Sequence, residues 1–231
     1  HVKKRKQIMA NKKNFIINVK ATGTGKSQKK VKGVSGALDG LAKKAGLAAA
    51  AYFGATGLIS AIKGSFEAFA RQEAAEKKLD AVLKSTKKAA GMTAQELKNL
   101  ASSLQSVTKF GDEAIIETQA LMLTFTKVGK EVMPDAIETI LNMSEAMGVG
   151  LKEQTLQLGK ALNDPIMGIT ALSRVGVQLS ETQKDQIKDF MAMNDVASAQ
   201  QVILGELETQ FGGMARAGVD TLTGATTQLG N

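Results

Sequence analysis

Between Leu38 and Phe69 the apolar and small residues fall at alternating spacings of three and four: Leu38, Leu41, Ala45, Ala48, Tyr52, Ala55, Ile59, Ile62, Phe66 and Phe69. An a/d stripe kept up for more than four heptads commits the segment to one long helix with a continuous apolar seam. It ends where Glu73 and Glu76 take the next two places. The same stretch holds 18 residues without a charge, Ala45 to Ile62, flanked by Lys43, Lys44 and Lys63. That length nearly spans a bilayer. Its content is mostly Ala and Gly, however, so insertion is weakly driven, and Gly46, Gly54 and Gly57 each cost a free helix about 1 kcal/mol relative to Ala. Ala50, Gly54, Gly57 and Ala61 let neighbouring helices approach closely. Three readings therefore stand open: a self-association seam, a helix packed on its own domain, or membrane contact.

Charge separates this helix from what precedes it. The 231 residues carry 30 Lys/Arg against 22 Asp/Glu, a net of +8, which taken whole points to nucleic acid or an anionic surface. Residues 1–44, however, hold 13 Lys/Arg against Asp39 alone, a net of +12, and residues 45–231 hold 17 against 21, a net of −4. The chain is a basic leader on a slightly acidic body. With neither a readout helix nor aromatic platforms beside the basic run, no specific nucleic-acid recognition is expected. Residues 1–8 have two readings: a solvated basic tail, or a translated ribosome-binding site ahead of a start at Met9, since Lys-Lys-Arg-Lys can be written in purines alone. No apolar h-region of signal-peptide length follows the basic start, so the expected compartment is a cytosol.

Phe15 to Val19 is a strand-like run leading into Thr22-Gly23-Thr24-Gly25-Lys26-Ser27. A phosphate-cradling loop needs a glycine five residues before Gly25, and Lys20 stands there. A Gly/Lys-rich turn is the better reading.

The inventory excludes much chemistry. There is no Cys, and the only His is His1, so disulfide scaffolds, thiolate catalysis, Cys/His zinc sites and His-based triads are out. Hydrophobic residues at 43% exclude disorder throughout, and aromatics at 4% argue against a β-sandwich. Asp112/Glu113 with Glu117, and Glu206/Glu208, are the closest carboxylate pairs. They fall at a helix start and on polar faces, where acids favour the dipole or solvent, so no catalytic residue, metal or cofactor is assigned. Met122, Met133, Met143, Met147, Met167, Met191 and Met193 read as adaptable core.

From Ala70 onward the pattern is helical, with short linkers. Helices are expected over Leu97 to Thr108, Glu113 to Val128, Pro134 to Met147, Leu151 to Leu162, Thr182 to Met193 and Val196 to Phe211. Thr93-Ala94-Gln95-Glu96 and Ser180-Glu181-Thr182-Gln183 are capping boxes, and Asp112 and Asn194 are candidate N-caps. Ile116, Ala120, Leu123 and Lys127 recur along the second helix. Asn163-Asp164-Pro165 ends one helix and starts a short one, with Asp164 as a cap, and Val175 to Leu179 reads as an extended connector. The expected fold is mainly α: a basic leader with one short N-terminal β-strand (1–36), a long Ala/Gly-rich heptad helix (37–90) and a multi-helix domain (91–231).

That order of parts, and above all the segment ALNDPIMGITALSRVGVQLSETQKDQIKDFMAMNDVASAQQVILGELETQFGGMA from Ala161 to Ala215, resembles the N-terminal region of tail length tape measure proteins of bacteriophages and prophages. Pro165, Gly168, Leu172, Gly176, Gln183, Ala199, Gln200, Leu204, Phe211, Gly212 and Gly213 stand where the family pattern places them, and Met167 departs from it, since a polar residue is commoner there. More loosely, the resemblance extends back to about Asn14.

It implies a structural protein of the virion: a helical homo-oligomer in the tail tube lumen whose length sets tube length. It further implies solubilisation by tail assembly chaperones in the host cytoplasm, contact with the tail tube protein and with tail tip or baseplate hub proteins, and release at genome ejection, when apolar segments can meet the host membrane. A wholly helical chain of this length reaches only about 350 Å. Tails are commonly longer, so the ruler portion is expected beyond Asn231. The competing class is a membrane-active, pore-associated protein acting through Ala45 to Ile62.

Overall fold

The computed structural model describes residues 64–221 and residue 227. The strand-like run at Phe15 to Val19, the Gly/Lys turn, the uncharged stretch and the seam from Leu38 to Ile62 lie outside the described residues. By compactness the chain divides into residues 1–66 and 67–231, and the second unit is described by itself.

A helix over 64–85 (α1) opens the described part. It is followed by α2 (Ala94–Gln105), α3 (Asp112–Met122), α4 (Met133–Met147), α5 (Leu151–Asn163), α6 (Pro165–Ser173), α7 (Glu181–Ala192), α8 (Val196–Phe211) and α9 (Met214–Ala217), with a closing 3-10 turn, Gly218–Asp220. No strand occurs among the described residues, and the protein is mainly helical.

Helix α1 changes character along its length. Phe66 and Phe69, the last two seam positions, are about half exposed, whereas Ala75, Leu79 and Leu83 are buried. At 100° per residue, this second stripe lies about a third of a turn round from the first. One helix thus presents two apolar faces in succession.

Helix α4 is the hub, packing against α3, α5, α8 and α9. Its Met133, Ala136, Ile137, Ile140, Leu141 and Met143 are fully buried, and they meet a core that includes Ile115, Ile116, Leu158, Leu162, Ile203 and Leu207. Of the methionines expected in the core, Met122, Met133 and Met143 are buried and Met147 and Met191 pack partly against it. Met167 and Met193 depart from that expectation and are largely exposed. Met167 lies in the outward first turn of α6, and Met193 is the C-cap of α7.

Both capping boxes form. Thr93 accepts from the Glu96 N–H, and the Thr93 N–H donates to the Glu96 carboxylate at 2.8 Å; Ser180 and Gln183 repeat the exchange. Two caps fall one residue from their expected places. Gly111, not Asp112, is the N-cap of α3, and Asp112 sits in the first turn, facing the helix dipole. Asp195, not Asn194, caps α8 by accepting from the Ser198 N–H, while Asn194 takes the left-handed conformation that turns the chain.

Helix α3 is also shorter than its apolar pattern, stopping at Met122. Beyond it the N–H groups of Thr124, Phe125 and Val128 each reach back three residues, winding tight turns. Lys127 therefore lies in a turn rather than on the helix, and its backbone is engaged elsewhere.

Two predictions concern helix ends. At the end of α1 the Lys87 N–H bonds the Lys84 carbonyl and the Lys88 N–H bonds the Leu83 carbonyl, a Schellman motif with Lys87 at φ 51°. Lysine there bears the Cβ strain that glycine avoids, so Lys87→Gly is expected to raise stability by about 0.5–1 kcal/mol, read as a higher urea midpoint at unchanged slope. The Lys130 ammonium, and after it the Thr93 backbone and hydroxyl, hold the Glu96 carboxyl down to about 2 from 4.5. A depressed carboxyl stabilises the fold above its unfolded value and loses that contribution as pH falls toward its folded value. Glu96→Gln should therefore lower the thermal midpoint at pH 7, and the gap to the parent should close between about pH 4.5 and pH 2.

Candidate functional site

The segment from Leu162 to Leu179 joins α5, α6 and α7 and is covered by α8. Its construction follows from three local devices. Asp164 accepts from the Met167 N–H at 3.2 Å, and Pro165, needing no partner for a backbone N–H, occupies the first turn of α6. Gly168 lets that turn lie directly on the end of α5: a Cβ built there would stand 2.6 Å from the Ala161 carbonyl oxygen and 2.7 Å from its Cα. Helix α6 then ends in a second Schellman motif. Gly176, at φ 94°, bonds the Ser173 carbonyl, and Val177 bonds that of Leu172. Leu172 and Val177 are both fully buried, the apolar contact that accompanies such an ending.

Gln200, wholly buried on α8, holds the junction from the other side. One N–H of its amide donates to the Leu162 carbonyl at 2.7 Å and the other to the Lys127 carbonyl at 3.0 Å. The Lys127 N–H in turn donates to Asn163 Oδ1. The turn after α3, the end of α5 and the middle of α8 are thereby tied by one side chain. A carbonyl in the last turn of a helix and one in a turn lack regular backbone partners, so a buried donor is what they require.

The remaining motif residues extend the same support. Gln183 completes its capping box through its oxygen and donates through its nitrogen to Glu206 at 2.7 Å, and Gln210 donates to the other Glu206 oxygen. These two donors, Gln183 first, lower the Glu206 pKa. Ala199 and Leu204 are buried, and Phe211 packs partly against the core. Gly212 and Gly213 turn the chain so that the Ala215 N–H reaches buried Asn142 Oδ1 at 2.9 Å and Arg216 meets Glu138.

One carboxylate of each pair has a structural occupation. Asp112 accepts from Gln72, and Glu206 is held as above. Among the described residues no group of His, Cys, Asp or Glu is arranged to hold a metal ion, and no helix is long and apolar enough to cross a membrane. Two buried amides that bond backbone or turn across the core escaped sequence reasoning: Asn142, and Gln119, which donates to the Leu97 carbonyl at 3.0 Å. Each sits at an apolar-face position of its helix, and that is the signal that could have found them.

The junction yields a pH-resolved prediction. Gln200→Glu replaces two donors with oxygens facing two carbonyls, so it is expected to cost about 3 kcal/mol at neutral pH. The buried carboxyl would take up a proton in the folded state and regain one donor, so stability should recover as pH falls through its raised pKa. Gln200→Leu should cost about 1–3 kcal/mol with no such recovery. Urea titrations of both variants at pH 7 and pH 4 separate the two behaviours.

A family profile described as prophage tail length tape measure protein matches residues 12–188. The matched segment contains Pro165, Gly168, Leu172, Gly176 and Gln183, while Ala199, Gln200, Leu204, Phe211, Gly212 and Gly213 lie beyond it. No curated protein and no solved structure matches the chain. With more than half of its residues inside that match, the chain belongs to the prophage tail length tape measure protein family.

Proposed function

We propose that this protein helps set the length of a phage tail tube and scaffolds its polymerisation from within the lumen, leaving the tail at genome ejection. The observation that carries this reading is the family match, which runs from the leader through the heptad stripe and into the junction. The division of the chain supports it. A heptad rod converts residue number into length at about 1.5 Å per residue. The folded unit that follows it in sequence spends buried polar side chains on holding helices together.

The self-association seam is Leu38, Leu41, Ala45, Ala48, Tyr52, Ala55, Ile59, Ile62, Phe66 and Phe69. The exposure of Phe66 and Phe69 supports a partner helix of a second copy there. The motif residues from Pro165 to Gly213 form the supporting junction. Tail tube protein, tail assembly chaperones and tail tip or baseplate hub proteins are its proposed partners, first in the host cytoplasm and then in the virion. Contact of Ala45 to Ile62 with the host membrane belongs to ejection, and it is favoured by the absence of charge over that stretch.

The ruler is tested by changing its length. Inserting four heptads in register within Ala45 to Ile62 should lengthen tails by about 42 Å in electron micrographs. Tails of unchanged length overturn a part for this helix in setting length. Flotation of the Ala45 to Ile62 peptide with liposomes, lost on Ile59→Lys, tests the membrane contact separately.

A further inference from the structure

Helices α4 and α8 leave an open groove of about 350 Å³ between them, lined by Asp135, Glu138, Thr139, Gln201, Leu204, Gly205 and Glu208. We propose that it receives a lysine of the basic leader of a second copy of this chain, from the run Lys26, Lys29, Lys30 and Lys32. This deepens the self-association proposed above, on which it rests, by naming a second contact between copies.

Four features of the groove bear on what it can hold. Thr139 is only 3% exposed and lines the groove, yet its hydroxyl makes none of the hydrogen bonds to a preceding carbonyl that Thr118 and Thr155 make. Gly205 lies in the middle of α8, where glycine costs helix stability, and a Cβ there would meet nothing within 4 Å. Internal packing does not demand a glycine at that place, and its lack of a side chain leaves the groove floor open. Glu208 lies in the last turn of α8, where the helix dipole disfavours an anion, and that turn holds no basic residue. Asp135 receives only the Gln201 amide, at 3.2 Å, whereas Glu138 is already met by Arg216.

Two carboxylates without a cation, the Thr139 hydroxyl open to the groove and an apolar floor suit an ammonium on an aliphatic stem. A lysine has three protons to give and a four-carbon stem to lay over Leu204 and Gly205. The chain supplies such groups in excess: residues 1–44 carry a net +12 and residues 45–231 a net −4.

The test uses the whole protein as an equal mixture of ¹⁴N and ¹⁵N chains, treated with a zero-length carbodiimide, with sedimentation run in parallel. The expected result is cross-linked peptides of mixed isotope joining Lys26, Lys29, Lys30 or Lys32 to Asp135 or Glu208. Gly205→Leu fills the groove floor but leaves both carboxylates in place. It should cut these cross-links about tenfold, the effect of losing one modest contact set, without lowering the melting temperature or dispersing the oligomer. An oligomer that gives none of these cross-links, or only same-isotope ones, overturns the groove contact and leaves the seam standing. A monomer at all concentrations overturns the seam and the groove contact together.

Discussion

The described fold turns on one buried amide. Gln200 reaches the Leu162 and Lys127 carbonyls, and those two carbonyls belong to segments that no regular hydrogen-bond ladder connects. Apolar burial brings α3, α5 and α8 together without saying in which register they meet, because burial is non-directional. Two directed bonds from a fixed point on α8 supply that register. The amide's own oxygen is buried without a partner. Rotating the amide to relieve it would set that oxygen against two carbonyls, so the fold accepts one unmet acceptor to satisfy two.

Everything around this contact is arranged to keep backbones close. Gly168 admits the first turn of α6 onto Ala161, and the close approach holds α6 short and flat against the end of α5. Gly176 then turns the chain so that Val177 and Leu179 are buried before Ser180 caps the next helix. The same Schellman geometry occurs at the end of α1 with lysine in glycine's place. The difference is one of consequence. At Gly176 the turn aims a buried connector, whereas after Lys87 the chain runs through exposed residues before Ala90 returns to the core.

Local chemistry was legible where it is decided locally. The capping boxes at Thr93 and Ser180, the Asp164 cap and the connector after Ser173 all follow from side chains acting within four residues of themselves. Asn194 was misplaced by one residue because it and Asp195 compete for one cap and the turn puts Asn194 in the left-handed region, and Asp112 because Gly111, with no capping side chain, takes the extended cap position. The end of α3 at Met122 was not legible. The apolar spacing runs on through Leu123 to Lys127, and only the demand of Gln200, 73 residues away, shows why the Lys127 carbonyl must leave the helix. The groove between α4 and α8 was equally hidden, since a lone Gly205 and a lone Thr139 carry no pattern.

The two halves of the sequence obey different rules, and this bears on how a length-setting protein changes. In a heptad rod only the a and d positions need to be apolar or small, so residues can be inserted by sevens without disturbing what lies on either side. At the junction, replacing the Gln200 amide nitrogen breaks a contact that three segments share, and adding one methyl at Gly168 pushes α6 off Ala161. The change of face along α1, from exposed Phe66 and Phe69 to buried Leu79 and Leu83, marks where one rule gives way to the other.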